Sequence, residues 1–216
     1  MSPALCAAAF YFVPVGSLPP FFSFEYGGFA VAVLMLLSAF VRPRSERRLG
    51  SFFVVFCAAW GASALFVSSA GVPGALGCLG TYSVMPLWSV SGAWGRAGMS
   101  FLFLALLCAF PENAGRREEG CASIRFDDGG LRPLLYAALT VALLLPWNPS
   151  VVVGAGGVWG FFCDFVFFWV KAAAVCAAAG FAPRFAAMLT RGRSDIAAAA
   201  FALCGVVCVA AEARPF

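Results

Sequence analysis

The chain has 216 residues, of which 62% are hydrophobic and 11% are charged, and its formal net charge is +4. A soluble domain is closer to about 45–50% apolar and about 25% charged, so this composition argues against a soluble domain and for a membrane protein. The sequence contains no histidine, which excludes a haem-binding cytochrome and a copper/haem oxidase subunit because both need imidazole ligands.

Apolar runs near the length that crosses a bilayer core follow one another along the chain. They occupy about residues 4–22, 26–42, 51–70, 76–94, 98–110, 132–147, 156–182 and 195–211. Three prolines interrupt the first run, which predicts a kinked or re-entrant element there. We therefore predict an all-α fold: a polytopic integral membrane helix bundle of about six to eight transmembrane helices, with residues 1–216 as one membrane domain.

The runs 76–94 and 98–110 leave two readings open. Only a short glycine-containing stretch around Arg96 separates them. They form either two short helices or one long helix that carries a buried arginine.

Charged residues concentrate in three predicted loops, at about residues 42–50, 111–132 and 183–194. Two predicted spans separate the second loop from the third, so these two loops face the same compartment. Basic residues favour the cytoplasmic side or, in an organelle, the matrix side. We expect all three loops on the matrix side; for the first loop this requires an even number of spans before the second.

The residue usage is also biased. Gln and His are absent, Lys occurs once, and Asn, Ile and Thr are scarce, which is typical of codon drift in a small, isolated genome. An organelle-encoded protein fits this pattern. The nine cysteines lie mostly in apolar runs and form no CxxC pair, so we read them as structural and predict no metal site and no covalently bound cofactor.

Ionisable residues inside apolar runs are the strongest candidates for function, because charge at membrane depth is costly and is usually kept for a proton or ion path. Lys171, the only lysine, and Asp164 lie seven residues apart in the run 156–182, which places them on one helix face about 10 Å apart along the axis. In a structural reading, Asp164 reaches one interface while Lys171 pairs with a carboxylate of another helix. In a functional reading, both belong to a proton path. Glu25 is read as the start of a span.

Five segments, taken in order, resemble one family. They are SERRLG (45–50), LGTYSVMPLWSVSGAWGRAG (79–98), FPENAGRREEG (110–120), RFDDGGLRPLLYAALTVALLLPW (125–147) and APRFAAMLTRGRSD (182–195). Together they are similar to subunit 1 of mitochondrial NADH dehydrogenase, the quinone-channel membrane subunit of respiratory complex I, in a divergent and shortened form. A weaker resemblance, YGGFAVAVLML (26–36), is to a helix of complex I subunit 6.

The resemblance implies a part in NADH:ubiquinone oxidoreduction coupled to proton translocation, in the mitochondrial inner membrane. The subunit would hold no redox centre of its own, and ubiquinone would be a substrate of the whole complex. Its partners would be other membrane and peripheral-arm subunits, lipids and quinone. We expect no nucleic acid among them, because the basic loops are diluted by acids and carry no aromatic stacking pattern.

Carried over by position, the resemblance also implies candidate residues for the proton path or the quinone channel. Together with the intramembrane pair described above, the candidates are Glu46, Glu112, Asp128, Asp164, Lys171 and Arg184.

Three other functions remain open. The first is another complex I membrane subunit, of the subunit 6 or 2 type. The second is subunit a of a rotary ATP synthase, which needs an arginine inside a helix; Arg96 is the candidate here. The third is a non-catalytic, lineage-specific membrane subunit of a respiratory complex.

Overall fold

The computed structural model describes residues 3–13, 15, 27–41, 47–69, 92–110, 131–145, 147–150, 157–189 and 194–212. Seven helices account for most of them: α1 (Pro3–Phe10), α2 (Gly27–Val41), α3 (Arg47–Ser69), α4 (Ala93–Ala109), α5 (Leu131–Leu144), α6 (Gly157–Leu189) and α7 (Ser194–Glu212). The described residues contain no β-strand, so the predicted all-α fold class is confirmed for this part of the chain.

Helix α4 begins at Ala93, whereas a single long helix over 76–110 would begin near residue 76. Gly92 has an extended backbone and precedes Ala93, the first residue of the helix. Arg96 therefore lies in the first turn, where it is exposed, and not in the middle of a long helix. Residues 70–91, which include most of the run 76–94, lie outside the described part of the chain.

The boundaries of the predicted loops differ from the observed ends of the helices. Residues 47–50 belong to α3 and residues 131–132 to α5, while 42–46 and 111–130 lie outside the described residues. The third loop was expected at 183–194, but α6 continues through Pro183 to Leu189. Alanine, methionine and leucine in this stretch favour helix, and a proline inside an apolar helix is tolerated where other groups satisfy the freed backbone carbonyl.

The core lies between α3, α4 and α5 and is rich in aromatic side chains. The ring of Phe52 lies 4.6 Å from that of Tyr136 and 6.0 Å from that of Phe110, measured between ring centroids. All three side chains are buried. Aromatic pairs at such distances add about 0.5–1.5 kcal/mol beyond the burial of their surface, which ties the three helices together.

Helices α4 and α7 make the most extensive contact of any helix pair. They cross at two glycines. A Cβ atom on Gly98 would lie 2.7 Å from Cγ2 of Val209 and 2.9 Å from the carbonyl oxygen of Gly205. Small residues let membrane helices approach closely, and this crossing has that character.

Helix α6 differs from the others in its environment. Its segment Gly157–Ala182 is, among the described residues, the one helix long and apolar enough to cross a membrane. Only 22% of its most apolar stretch is buried. The buried side chains form a single stripe that includes Asp164, Phe168 and Ala172.

The remaining faces of α6 carry large exposed apolar side chains. These include Val158, Trp159, Phe161, Phe162, Phe165, Val166, Phe167 and Val170. A helix that is apolar all round needs an apolar environment on every side, and the described part of the chain covers only one stripe of α6. The other apolar helices within the described residues are shorter, so six to eight spans stays a prediction.

Candidate functional site

Asp164 lies on the buried stripe of α6 and is fully buried. Its Oδ1 accepts a hydrogen bond of 2.9 Å from the backbone N–H of Ser150, and its Oδ2 accepts one of 2.5 Å from the Ser150 hydroxyl. Hydrogen bonds to an ionised carboxylate are roughly twice as strong as those between neutral groups. Ser150, seven residues before the start of α6, is thus held by a carboxylate two turns inside the helix.

Lys171 lies two helical turns further along α6. Its ammonium donates hydrogen bonds of 2.7 Å to the carbonyl oxygen of Leu145 and 2.7 Å to that of Trp147. It also lies 5.2 Å from the centre of the Phe167 ring, within the range of a cation–π interaction. The Asp164 carboxylate adds an electrostatic attraction.

The position of Lys171 matches the end of α5. That helix ends at Leu144, and the backbone N–H of Leu145 still donates to the carbonyl of Val141 at 2.9 Å. The last carbonyls of a helix lack partners inside the helix and carry a partial negative charge. A cation there stabilises the helix end by about 1 kcal/mol or more when it is partly buried.

Together, Asp164 and Lys171 hold one short stretch of main chain. We call it the anchored segment: Leu145 together with residues 147–150. Lys171 binds its first part and Asp164 its last residue, Ser150. The hydrogen bonds of Lys171 go to main-chain carbonyls, whereas the structural reading of the sequence predicted a carboxylate of another helix. The sequence analysis predicted Asp164 and Lys171 as site residues but did not identify their partners.

A signal for these partners existed. Asn148, Pro149 and Ser150 form a short run of turn-forming residues between two apolar runs. Pro and Asn favour turns, and Ser is a common helix-start residue whose hydroxyl seeks a polar partner. These three residues indicate a turn, but the pattern does not show which side chain of α6 contacts them.

The structure does not test most of the other predicted site residues. Glu46, Glu112 and Asp128 lie outside the described residues, as does Glu25. Arg184 lies 13 residues after Lys171 on α6, about 20 Å along the axis. Of the six candidates, the structure brings together Asp164 and Lys171.

A second polar contact joins the end of α7 to the start of α4. Glu212 accepts hydrogen bonds from the backbone N–H of Gly92 at 2.8 Å and from that of Gly95 at 3.3 Å. The first N–H groups of a helix lack partners inside the helix, and a carboxylate there also meets the positive end of the helix dipole. Glu212 thus caps α4 in the same turn that carries Arg96. The sequence analysis did not single it out.

Among the described residues, no group of three or more Cys, Asp or Glu side chains is placed to hold a metal ion. Comparisons with protein-family models, with characterised proteins and with solved structures gave no match to this chain.

Proposed function

We propose that the chain is a multi-pass membrane subunit of the respiratory chain, in the membrane arm of complex I. The observation that carries the membrane part is the apolar surface of α6, of which the chain covers only one stripe. Lipid or the helices of a neighbouring subunit would cover the rest. The assignment to complex I is supported by the ordered sequence resemblance to subunit 1 of mitochondrial NADH dehydrogenase.

In this proposal the protein is a multi-pass, organelle-encoded component of the mitochondrial inner membrane. It would contribute to the quinone channel and the proton path of NADH:ubiquinone oxidoreductase, without a redox centre of its own. Asp164 and Lys171 are the ionisable groups that the fold brings together on one membrane-length helix. Charges at such a position are usually kept for proton or ion transfer or for assembly.

One observation favours a second candidate, a non-catalytic membrane subunit. Asp164 and Lys171 each make two hydrogen bonds to the anchored segment of the same chain. Charges engaged in this way stabilise a fold without carrying protons. The ATP synthase alternative gains no support from α4, because Arg96 lies in the first turn of that helix and is exposed.

The test is to isolate native membrane complexes under mild detergent and to follow the chain by mass spectrometry. We expect it to co-migrate with NADH dehydrogenase activity and with known membrane-arm subunits. Co-migration with ATP synthase would contradict the proposal. A band that contains neither activity would favour a different assembly. To separate the two candidates within complex I, quinone reduction and proton pumping are measured for Lys171→Met in complexes that still assemble.

A further inference from the structure

The anchored segment lies beside the middle of α6 and not beside its end. Lys171 is within two residues of the centre of the apolar stretch Gly157–Ala182. At 1.5 Å per residue, Asp164 lies about 10 Å and Lys171 about 21 Å from the Gly157 end. Even if the lysine side chain leans one turn toward the start of α6, its carbonyl partners lie about 15 Å from that end.

These distances place the segment at membrane depth if α6 spans a bilayer. The 26 residues of the apolar stretch are about 39 Å long, whereas the hydrocarbon core is about 30 Å thick. Centred on the core, the stretch extends beyond it by only about 5 Å at each end. The carbonyl partners of Lys171 then lie about 10 Å inside the core, and Asp164 lies about 5 Å inside it.

Main-chain groups without a hydrogen-bond partner are costly at that depth, and such groups occur at the end of α5 and at the helical residues Pro149 and Ser150. Each unsatisfied N–H or C=O group costs several kcal/mol in hydrocarbon. Here the carbonyls of Leu145 and Trp147 accept hydrogen bonds from the ammonium of Lys171, and the N–H of Ser150 donates one to the carboxylate of Asp164. Lys171 and Asp164 are thus matched in sign and in position to the main-chain groups of the anchored segment.

We propose that the anchored segment is a break inside the membrane: the chain leaves α5 near the middle of the bilayer and continues toward the surface at which α6 begins. Lys171 and Asp164 are the positioning residues that hold it at that depth. The inference rests on the proposed membrane insertion of α6 but on none of the complex I assignment. It explains why the only lysine of the chain lies near the centre of the apolar stretch of α6.

Depth is measured by spin-label accessibility on the full chain in lipid nanodiscs. A ketone-bearing residue replaces Trp147, which is 43% exposed, and is coupled to a hydroxylamine nitroxide, so that the native cysteines stay in place. The same label at Val158, near the start of α6, and at Val170, near its middle, provides two depth standards. The readout is the ratio of collisions with oxygen, which concentrates in lipid, to collisions with a water-soluble nickel chelate.

We expect the label at residue 147 to give the ratio found at Val170. In Lys171→Met the ratio should shift to the value found at Val158, because the released carbonyls move toward water. Lys171→Arg, which still donates to carbonyls, should keep the original value. If Trp147 cannot be replaced without loss of the folded protein, Asn148 is labelled in the same way.

Three other results would overturn the inference. A label at 147 that matches Val158 in the unmodified chain would show a surface loop. An unchanged depth in both Lys171→Met and Asp164→Asn would show that other contacts hold the segment. Water accessibility at both Val158 and Val170 would contradict the insertion of α6 itself, and with it the proposed function.

Discussion

At the scale of single residues, the opposite charges of α6 act on main-chain groups. Lys171 binds carbonyls, which carry partial negative charge, and Asp164 binds an N–H and a hydroxyl. Each ion therefore replaces lost hydration with oriented dipoles, which is how a buried charge becomes tolerable. A proton path would require one of these groups to exchange its partner during turnover.

Ser150→Ala tests the Asp164 contact. The substitution removes the hydroxyl that donates to Oδ2 but keeps the backbone N–H that donates to Oδ1. We expect the free energy of unfolding to fall by about 1.5–3 kcal/mol, as for a hydrogen bond to a buried charged group. The measurement is denaturation by SDS in mixed micelles.

The matched control is Ser100→Ala on α4. Ser100 is exposed, and its hydroxyl donates to the carbonyl of Arg96 on the same helix. That change should lower stability by less than about 0.5 kcal/mol. Equal losses for the two serines would contradict the role given to Ser150.

Lys171→Met tests the ammonium. The change removes the ammonium that donates to the carbonyls of Leu145 and Trp147, so we expect a loss of about 2–4 kcal/mol in the free energy of unfolding and less assembled protein. Lys171→Arg should recover most of the assembled fraction, because a guanidinium donates to the same oxygens. Quantitative mass spectrometry of the assembled complex provides the readout. Full assembly of Lys171→Met with reduced proton pumping would instead support the proton-path reading.

At the scale of helices, the α4–α7 crossing depends on the absence of two side chains. Gly98→Ala would place a methyl group 2.7 Å from Val209 and 2.9 Å from the main chain of α7. Because a backbone oxygen cannot move aside easily, we expect a loss of about 1–3 kcal/mol in the free energy of unfolding.

Gly180→Ala is the control for that substitution. A Cβ at Gly180 on α6 meets no atom within 4 Å, and alanine is the better helix former by about 1 kcal/mol. This variant should be neutral or slightly more stable than the unmodified protein. If both variants lose stability to the same extent, close packing at Gly98 is not the cause.

The sequence predicted the helices better than their ends or contacts. The apolar runs around α2, α3, α6 and α7 predicted helices near the observed positions, because unbroken apolar composition is a strong signal. The end of α6 was missed: Pro183 indicated a stop, but six further residues are helical. The capping of α4 by Glu212 joins residues 120 positions apart, and no local pattern encodes such a contact.

The candidate site was predicted in part for the same reason. A lone lysine in an apolar run is visible in a sequence, and so is an aspartate seven residues before it. Apart from the Ser150 hydroxyl, their partners are main-chain atoms, which every residue has. Only the packing of α5 against α6 selects Leu145 and Trp147 from them.

At the scale of the whole molecule, the exposed apolar surface of α6 indicates that a membrane surrounds this helix. Val166→Asp places a charge on an outward face of α6 that a membrane would cover. We expect the insertion free energy of α6 to rise by about 2.5–3.5 kcal/mol, which lowers the inserted fraction sharply. A glycosylation assay with α6 as the test segment measures it.

Met188→Asp provides the control. Met188 is also exposed, but it lies six residues beyond the apolar stretch that ends at Ala182. Its substitution should leave the inserted fraction nearly unchanged. If the two aspartates had the same effect, the boundary of the span would be misplaced.

The central claim is that α6 lies in lipid with one stripe packed against its own chain, and labelling of native membranes by a lipid-soluble carbene probe tests it most directly. Peptide mass spectrometry should find the label on outward side chains such as Phe162 and Val166, with Phe168 and Ala172 of the buried stripe protected. Labelled side chains in α2, α4 and α7 would extend the result to several spans. An unlabelled α6, in a chain that an alkaline wash releases from the membrane, would contradict the account.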